Sequence, residues 1–208
     1  INADFFGAID ETSIPTGEIL KVEGTPFDFR TPHAVGERIG DTSNQQIVNG
    51  TGYDHCFVLN KREPGELSYA VKCVEPNSGR CLEMWTTEPG VQFYSSNWHS
   101  GLVGTHGTVY GKYSALCFEA QHFPDSPNRA HFPSCILKAG DISGMFFELS
   151  GPRISAFLEV SSDQGRAHNK DYSAKEDIQV ALVLQRGRFR SSSIQDTLYI
   201  GILFVSRN

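Results

Sequence analysis

The stretch LSYAVKCVEPNSGRCLEMWTT, residues 67–87, predicts a β-hairpin and sets the fold class of the chain. Its first half alternates, so that Leu67, Tyr69, Val71 and Cys73 fall on one face of a strand. The four residues that follow, Pro-Asn-Ser-Gly at 76–79, are the residue types that form tight turns. The chain then returns as a second strand over residues 80–87.

Similar short apolar runs lie on both sides of this hairpin. We expect strands at residues 18–22, 55–59, 91–94 and 114–121, each bounded by turn residues. The chain contains 20 glycines and 10 prolines, many of them between these runs, which favours strands and turns over long helices. The pattern predicts an all-β fold, an antiparallel β-sandwich with long polar loops that carry the site.

Composition excludes several classes of function. The net charge is −6, from 18 basic and 24 acidic residues among 208, which argues against a nucleic-acid partner. No apolar run reaches the roughly 20 residues that a membrane helix needs, so we expect no membrane association. The seven histidines show no metal-ligand spacing, and we expect neither a metal nor an organic cofactor. The five cysteines are odd in number and lack a Cys-x-x-Cys pair, which predicts free thiols and a cytoplasmic protein.

The composition changes near Asp141. Nine of the ten prolines lie before it, and the net charge is −7 over residues 1–141 but +1 over residues 142–208. We therefore predict one domain over residues 1–149 and an unassigned extension over residues 150–208, either β-rich or poorly ordered. The extension has strand-like runs at residues 154–160, 178–184 and 197–205, and a short helix is one interpretation of residues 172–177. A last strand of the first domain is expected at residues 145–149.

Three polar clusters in turn-rich contexts are the candidates for chemistry. They are residues 52–55 (GYDH), residues 91–98 (VQFYSSNW) and residues 118–128 (FEAQHFPDSPN). Carboxylates and amides bind pairs of sugar hydroxyls, and aromatic faces cover the apolar side of a pyranose. A carboxylate on the strand at 114–121 is held rigidly, as a general base must be, although an acidic residue at a strand end is also commonly a solvated or capping group.

Motifs along the first 141 residues are similar to those of a known family. In chain order they are DET (10–12), IPTGE (14–18), GTPFDFR (24–30), GYDH (52–55), SGR (78–80), TTEPGVQFY (86–94), FPDSPN (123–128) and FPS (132–134). In this order they resemble the C-terminal half of the aldose 1-epimerases. The resemblance implies a galactose mutarotase-like antiparallel β-sandwich, of which this chain carries part.

The resemblance also implies a reaction and roles for three residues. The family interconverts the α and β anomers of aldohexoses such as glucose and galactose, by acid–base opening of the sugar ring and without a cofactor. By position, Glu119 matches the general base, and Asp54 and Gln92 match sugar-binding residues. Cys56 stands where the family usually has Asn. His55 is interpreted as a structural hydrogen-bonding residue, and Glu88, Asp125 and Asn128 as loop-shaping groups.

No residue of this chain matches the general acid that the family pairs with its general base. Residues 1–4 resemble the end of the strand that carries the family's catalytic histidine a few residues upstream, so we expect a truncated epimerase that acts, as a monomer, on a small aldohexose. A non-catalytic carbohydrate-binding protein or an inactive fragment on the same fold is the alternative. An epimerase of hexose phosphates is disfavoured, because no Arg or Lys cluster accompanies Asp54, Gln92 and Glu119 and a phosphate needs fixed cations.

Overall fold

A computed structural model describes residues 1–104, 107–136, 143–151, 154–163, 166–167, 182–186 and 198–205. The described residues are mostly strands, with two short α-helices, α1 (Val35–Arg38) and α2 (Gln45–Gly50), and a 3₁₀ helix at Ser126–Asn128. The strands are β1 (Ala3–Ile9), β2 (Pro15–Lys21), β3 (Asp54–Leu59), β4 (Ser68–Glu75), β5 (Arg80–Thr86), β6 (Gly90–Tyr94), β7 (Leu102–Val103), β8 (Val109–Tyr110), β9 (Ala115–Gln121), β10 (Ser143–Gly151), β11 (Ile154–Asp163), β12 (Arg166–Ala167), β13 (Leu182–Arg186) and β14 (Leu198–Val205). The all-β prediction is confirmed.

The strands form two main sheets in which every pairing is antiparallel. A seven-stranded sheet has the order β13-β14-β9-β6-β3-β1-β2, and a five-stranded sheet has the order β12-β11-β10-β5-β4. Strands β7 and β8 pair with each other as a small separate hairpin.

The hairpin predicted at residues 67–87 is present as β4 and β5. Val74 pairs with Cys81 and Glu75 with Arg80 on the two sides of the turn. The Glu75 carboxylate accepts hydrogen bonds from the backbone N–H groups of Asn77 (3.0 Å) and Ser78 (2.7 Å). A side chain that bonds the backbone of the next residues stabilises a tight turn, and the turn fixes the register of the two strands.

One hydrophobic core joins the two main sheets. From the seven-stranded sheet it takes alternate residues such as Phe6, Phe57 and Phe93, and from the five-stranded sheet Leu82 and Met84. Each of these five side chains is at most 1% exposed. The seven-stranded sheet therefore has a core face and an opposite face, and residues i and i+2 of a strand share a face.

The sequence did not predict α1, α2, β1 or the β7–β8 hairpin. Helix α2 begins at the N-cap Asn44, whose side chain accepts hydrogen bonds from the backbone N–H groups of Gln46 and Ile47. Its six residues are too few to show a helical hydrophobic period, which explains why the pattern missed it.

Where the structure describes them, the runs predicted in the last third of the chain correspond to strands of the main sheets; residues 178–181 and 197 lie outside the described residues. Strands β10 and β11 extend the five-stranded sheet next to β5, and β14 pairs with β9 in the seven-stranded sheet. The interpretation of residues 172–177 as a helix lies outside the described residues, and the domain boundary at residue 149 stays a prediction. Within the described ranges, no helix is long and apolar enough to cross a membrane.

Candidate functional site

A row of polar side chains crosses the middle of the seven-stranded sheet. Cys56 on β3 lies directly opposite Gln92 on β6, and Gln92 lies directly opposite Glu119 on β9. Residues that are directly opposed in an antiparallel ladder project to the same face. Their chain neighbours, Phe57 and Phe118 among them, are buried in the core. The row therefore lies on the face that points away from the core.

Asp54 joins this row from the same strand as Cys56. It is two residues from Cys56 and so shares its face. The Gln92 side chain donates a hydrogen bond from Nε2 to Oδ1 of Asp54 at 2.7 Å. The Oε1 atom of Gln92 is buried, and no described residue forms a hydrogen bond with it. The hydrogen bond to Asp54 thus fixes the Gln92 carboxamide and leaves Oε1 as a buried acceptor. A sugar hydroxyl is a suitable donor to such an acceptor.

The two carboxyl groups of the site, Asp54 and Glu119, both have pKa values above their usual range. Burial raises the pKa of Glu119, and the negative charge of Asp54 raises it further. Burial also raises the pKa of Asp54, and the hydrogen bond from Gln92 partly opposes this. A carboxylate with a raised pKa is a stronger base when ionised than a solvated one. The structure thus brings the three sequence-predicted residues together in one electrostatically coupled group.

His55 lies on the opposite face of the sheet, inside the core. Its side chain is fully buried, and its ring lies 4.5 Å from the ring of Phe27. The backbone N–H of Asp54 donates to its Nδ1 at 3.1 Å, which makes Nε2 the protonated nitrogen. Burial lowers the pKa of His55 to about 3, so the ring is neutral. His55 therefore holds the backbone at Asp54 and does not reach the face that carries Glu119.

An open cleft lies beside this row. Asp54, Cys56 and Gln92 form its polar end, and Ile19, Phe123 and Phe132 are among its apolar walls. Glu119 does not line the cleft but lies next to it, one strand beyond Gln92. Burial raises the pKa of Cys56 to about 12, so the thiol is neutral. A polar end with an apolar wall is the arrangement by which proteins bind the two sides of a pyranose.

The loop that follows β9 supplies the apolar wall. The Asp125 carboxylate accepts hydrogen bonds from Asn128 Nδ2 (2.6 Å) and Arg129 Nε (2.7 Å), and it sits at a positive φ of 64°. These bonds close the loop on itself, as the loop-shaping interpretation expects. The sequence analysis placed Phe123 within the candidate cluster at residues 118–128 but gave no role to Phe132, which reaches the cleft because the loop folds back.

A comparison with known families places the chain. A family model described as Aldose 1-epimerase matches residues 1–150, which includes β3, β6 and β9. The chain belongs to the aldose 1-epimerase family. The three predicted site residues, Asp54, Gln92 and Glu119, all fall within the matched segment.

Individual members of the aldose 1-epimerase family agree with this assignment. Galactose mutarotase from Mus musculus is 44% identical over 142 residues, and that from Homo sapiens is 41% identical; each alignment covers 68% of this chain and 39% of the relative. Aldose 1-epimerase from Escherichia coli is 32% identical over 143 residues, 68% of this chain and 40% of the relative. The chain therefore spans about 40% of the length of the curated relatives that it matches.

A solved structure shows the same fold. A crystal structure of a GalM/aldose epimerase homologue from C. elegans superposes with a TM-score of 0.62 and 29% sequence identity. The superposition covers 73% of this chain and 44% of that one. The predicted mutarotase-like sandwich is confirmed.

Proposed function

We propose that this aldose 1-epimerase family member interconverts the α and β anomers of aldohexoses such as glucose and galactose. Glu119 acts as the general base, and Asp54 and Gln92 hold the sugar hydroxyls. The observation that carries the proposal is the row on the sheet, in which Glu119 is directly opposite Gln92 and Gln92 is bonded to Asp54.

The chemistry assigned to Glu119 is removal of one proton. The carboxylate takes the proton of the anomeric hydroxyl, the C1–O5 bond breaks with its electron pair going to O5, and O5 takes a proton from water to give the open-chain aldehyde. Rotation about C1–C2 and the reverse steps on the other face of the aldehyde give the other anomer. The raised pKa of Glu119 supports this role, because the ionised carboxylate is then a stronger base than a solvated one.

The charges of the residues that line the cleft support a substrate without a phosphate group. Among the described residues that line it, none is Lys or Arg, whereas a phosphate is bound by fixed cations. We therefore propose an unphosphorylated aldohexose as the ligand. The five free cysteines support a reducing, cytoplasmic environment.

The proposal assigns to this chain the base and the binding groups, but not the acid. None of the described cleft-lining residues is a histidine. This observation favours the second candidate, a protein that binds the sugar on the same site without turnover.

Polarimetry of freshly dissolved α-D-galactose tests the proposal, with the chain, the variant Glu119→Gln and the control Glu83→Gln. Glu83 is a surface carboxylate on β5 that pairs with Lys72 at 2.7 Å. We expect the chain and the control to accelerate mutarotation, and Glu119→Gln to lose about 10²–10⁴-fold of that acceleration. Equal rates for the chain and Glu119→Gln would exclude Glu119 as the base. Galactose binding by calorimetry without acceleration would establish the non-catalytic alternative.

A further inference from the structure

A second charged pair lies at the edge of the site, outside the group described above. Nδ1 of His122 is 2.6 Å from Oε2 of Glu88, and the two side chains are 31% and 13% exposed. Glu88 belongs to the turn between β5 and β6, and His122 directly follows β9. The last residue pair of the β6–β9 ladder is Gly90 with Gln121, so the ion pair closes the end of the ladder that carries Gln92 and Glu119.

The residue after His122 forms a wall of the cleft. A Cβ atom on Gly90 would lie 3.1 Å from the Phe123 ring and 2.8 Å from Cys56 Sγ, so Phe123 packs directly over Gly90 beside Cys56. The rings of Phe123 and Phe132 then meet edge to face at 5.3 Å. His122 therefore directly precedes one aromatic wall, Phe123, which in turn packs against the other, Phe132.

The other end of this loop is also fixed to the sheet. A Cβ atom on Gly17 of β2 would lie 2.6 Å from the Arg129 guanidinium, so the side chain packs flat on that strand. Arg129 in turn pairs with Asp125 at 2.7 Å. We call residues 123–132 the cleft loop. It runs across the open face of the sheet with a guanidinium contact at one end and a histidine–carboxylate pair at the other.

We propose that His122 is a positioning residue for the sugar site, whose ion pair with Glu88 holds the cleft loop against the sheet. Loss of the ion pair loosens the wall formed by Phe123 and Phe132 and weakens sugar binding. The inference about the sugar rests on the proposed function, whereas the ordering of the cleft loop does not.

The charged groups around His122 and Glu88 determine how pH changes the strength of this pair. The hydrogen bond to Glu88 raises the pKa of His122 above its usual 6.5, against an opposing effect of burial, and a bond to the backbone of Ser134 adds to the increase. Lys61 also interacts with Glu88, and its ammonium donates to the backbone oxygen of Thr86 at 2.7 Å.

The direction of the pH effect follows from the raised pKa of His122. The stabilisation by a histidine whose pKa is higher in the folded state is complete below the unfolded pKa and is lost as the pH rises through the folded one. On the loop itself, Asp125 and Arg129 pair with each other and His131 lies against the Phe132 ring at 4.5 Å. We expect the cleft loop to be held at mildly acidic pH and loosened at alkaline pH.

Hydrogen exchange of the cleft-loop amides, corrected for intrinsic rates, tests the proposal between pH 5.5 and 8.5. We expect protection of residues 123–132 to fall as the pH rises through the pKa of His122. In Glu88→Gln, which keeps the acceptor but removes the charge, exchange at pH 6 should be about fivefold faster, the factor expected of a partly buried ion pair. The matched control is Glu37→Gln, which removes the carboxylate of the exposed His33–Glu37 pair near α1 and should leave the cleft loop unchanged.

Protection that is independent of pH in the unmodified chain, or equal in Glu88→Gln, would overturn the proposal. Galactose affinity is measured on the same samples by calorimetry. Affinity that follows protection supports the positioning role, and unchanged affinity in Glu88→Gln with a loosened loop contradicts it. If the unmodified chain binds no galactose at any pH, the proposed function fails, while the exchange data still decide whether the ion pair holds the loop.

Discussion

At the scale of single residues, the site depends on two partly buried carboxyl groups whose pKa values are raised, and the charge of one, Asp54, acts on the other, Glu119. Glu119 and Asp54 stand on strands that flank β6, and Gln92 lies between them. Each carboxyl is partly buried, so its charged form is destabilised, and the charge of Asp54 acts on Glu119 in the same direction. The protonation state of the base is therefore a property of the group and not of Glu119 alone.

Replacement of Asp54 by Asn tests this coupling. We expect the pKa of Glu119 to fall in Asp54→Asn, because the repulsive charge is removed, but to stay above that of a solvated glutamate, because Glu119 remains buried. The acid limb of any base-dependent rate moves to lower pH with it. A ¹³C NMR titration of the Glu119 carboxyl measures the shift, with Asp41→Asn, outside the site, as control. An unchanged titration would show that burial alone sets the pKa.

At the scale of elements, the rigidity of the site comes from strands that are paired on both sides. Strand β9 lies between β6 and β14, so the backbone around Glu119 is bonded to two neighbours.

Strand β1 is stabilised from outside the sheet by α2. The Gln46 side chain accepts from the backbone N–H of Ile9 at 2.9 Å and donates to its oxygen at 3.0 Å. A short helix thus fixes the end of β1, next to the cleft.

The N-cap of α2 gives a prediction at this scale. Asn44 Oδ1 accepts from the backbone N–H groups of Gln46 (3.0 Å) and Ile47 (3.3 Å), and Asn44→Ala leaves both without this acceptor. We expect the free energy of unfolding to decrease by about 1 kcal/mol, measured by urea denaturation. Val48→Ala, on an exposed position of the same helix, should change it by less than about 0.5 kcal/mol. Similar effects of the two substitutions would mean that the cap is not stabilising.

At the scale of the whole molecule, one hydrophobic core joins the two sheets, and its aromatic side chains lie on the side of the seven-stranded sheet. Phe57 is fully buried and lies 6.2–6.4 Å, centroid to centroid, from Phe6, Phe27, Phe29 and Phe93. Its strand neighbours Cys56 and Val58 line the cleft on the other face. The core and the site therefore use alternate residues of one strand, and a change in the core reaches the site through the backbone of β3.

Truncation of Phe57 measures this core. We expect Phe57→Ala to reduce the free energy of unfolding by about 3–5 kcal/mol, the usual loss for a fully buried phenylalanine. Phe5→Ala, at a position that is 38% exposed on the neighbouring β1, should lose clearly less. Chemical denaturation followed by fluorescence gives both values. Equal losses would place the main stabilisation of the fold outside this cluster.

Local sequence was sufficient for most of the longer strands, although not for β1 or the β7–β8 hairpin. The alternation at residues 67–74 and the turn at residues 76–79 act over a few residues, so β4 and β5 could be predicted without tertiary information. Asp54, Gln92 and Glu119 were assigned their roles by position, from motifs that resemble those of the aldose 1-epimerase family; the residue pattern alone showed only polar clusters suited to sugar binding.

Register and loop closure were decided only by the tertiary structure. That Gln92 faces Glu119 depends on how β6 and β9 align, and a slip of one residue would turn Glu119 into the core. The contact of His122 with Glu88 joins residues that are 34 positions apart, and the cleft wall at Phe123 and Phe132 exists because the loop folds back over the sheet. Such contacts depend on the packing of the whole chain, whereas the period of a strand is a property of its own residues.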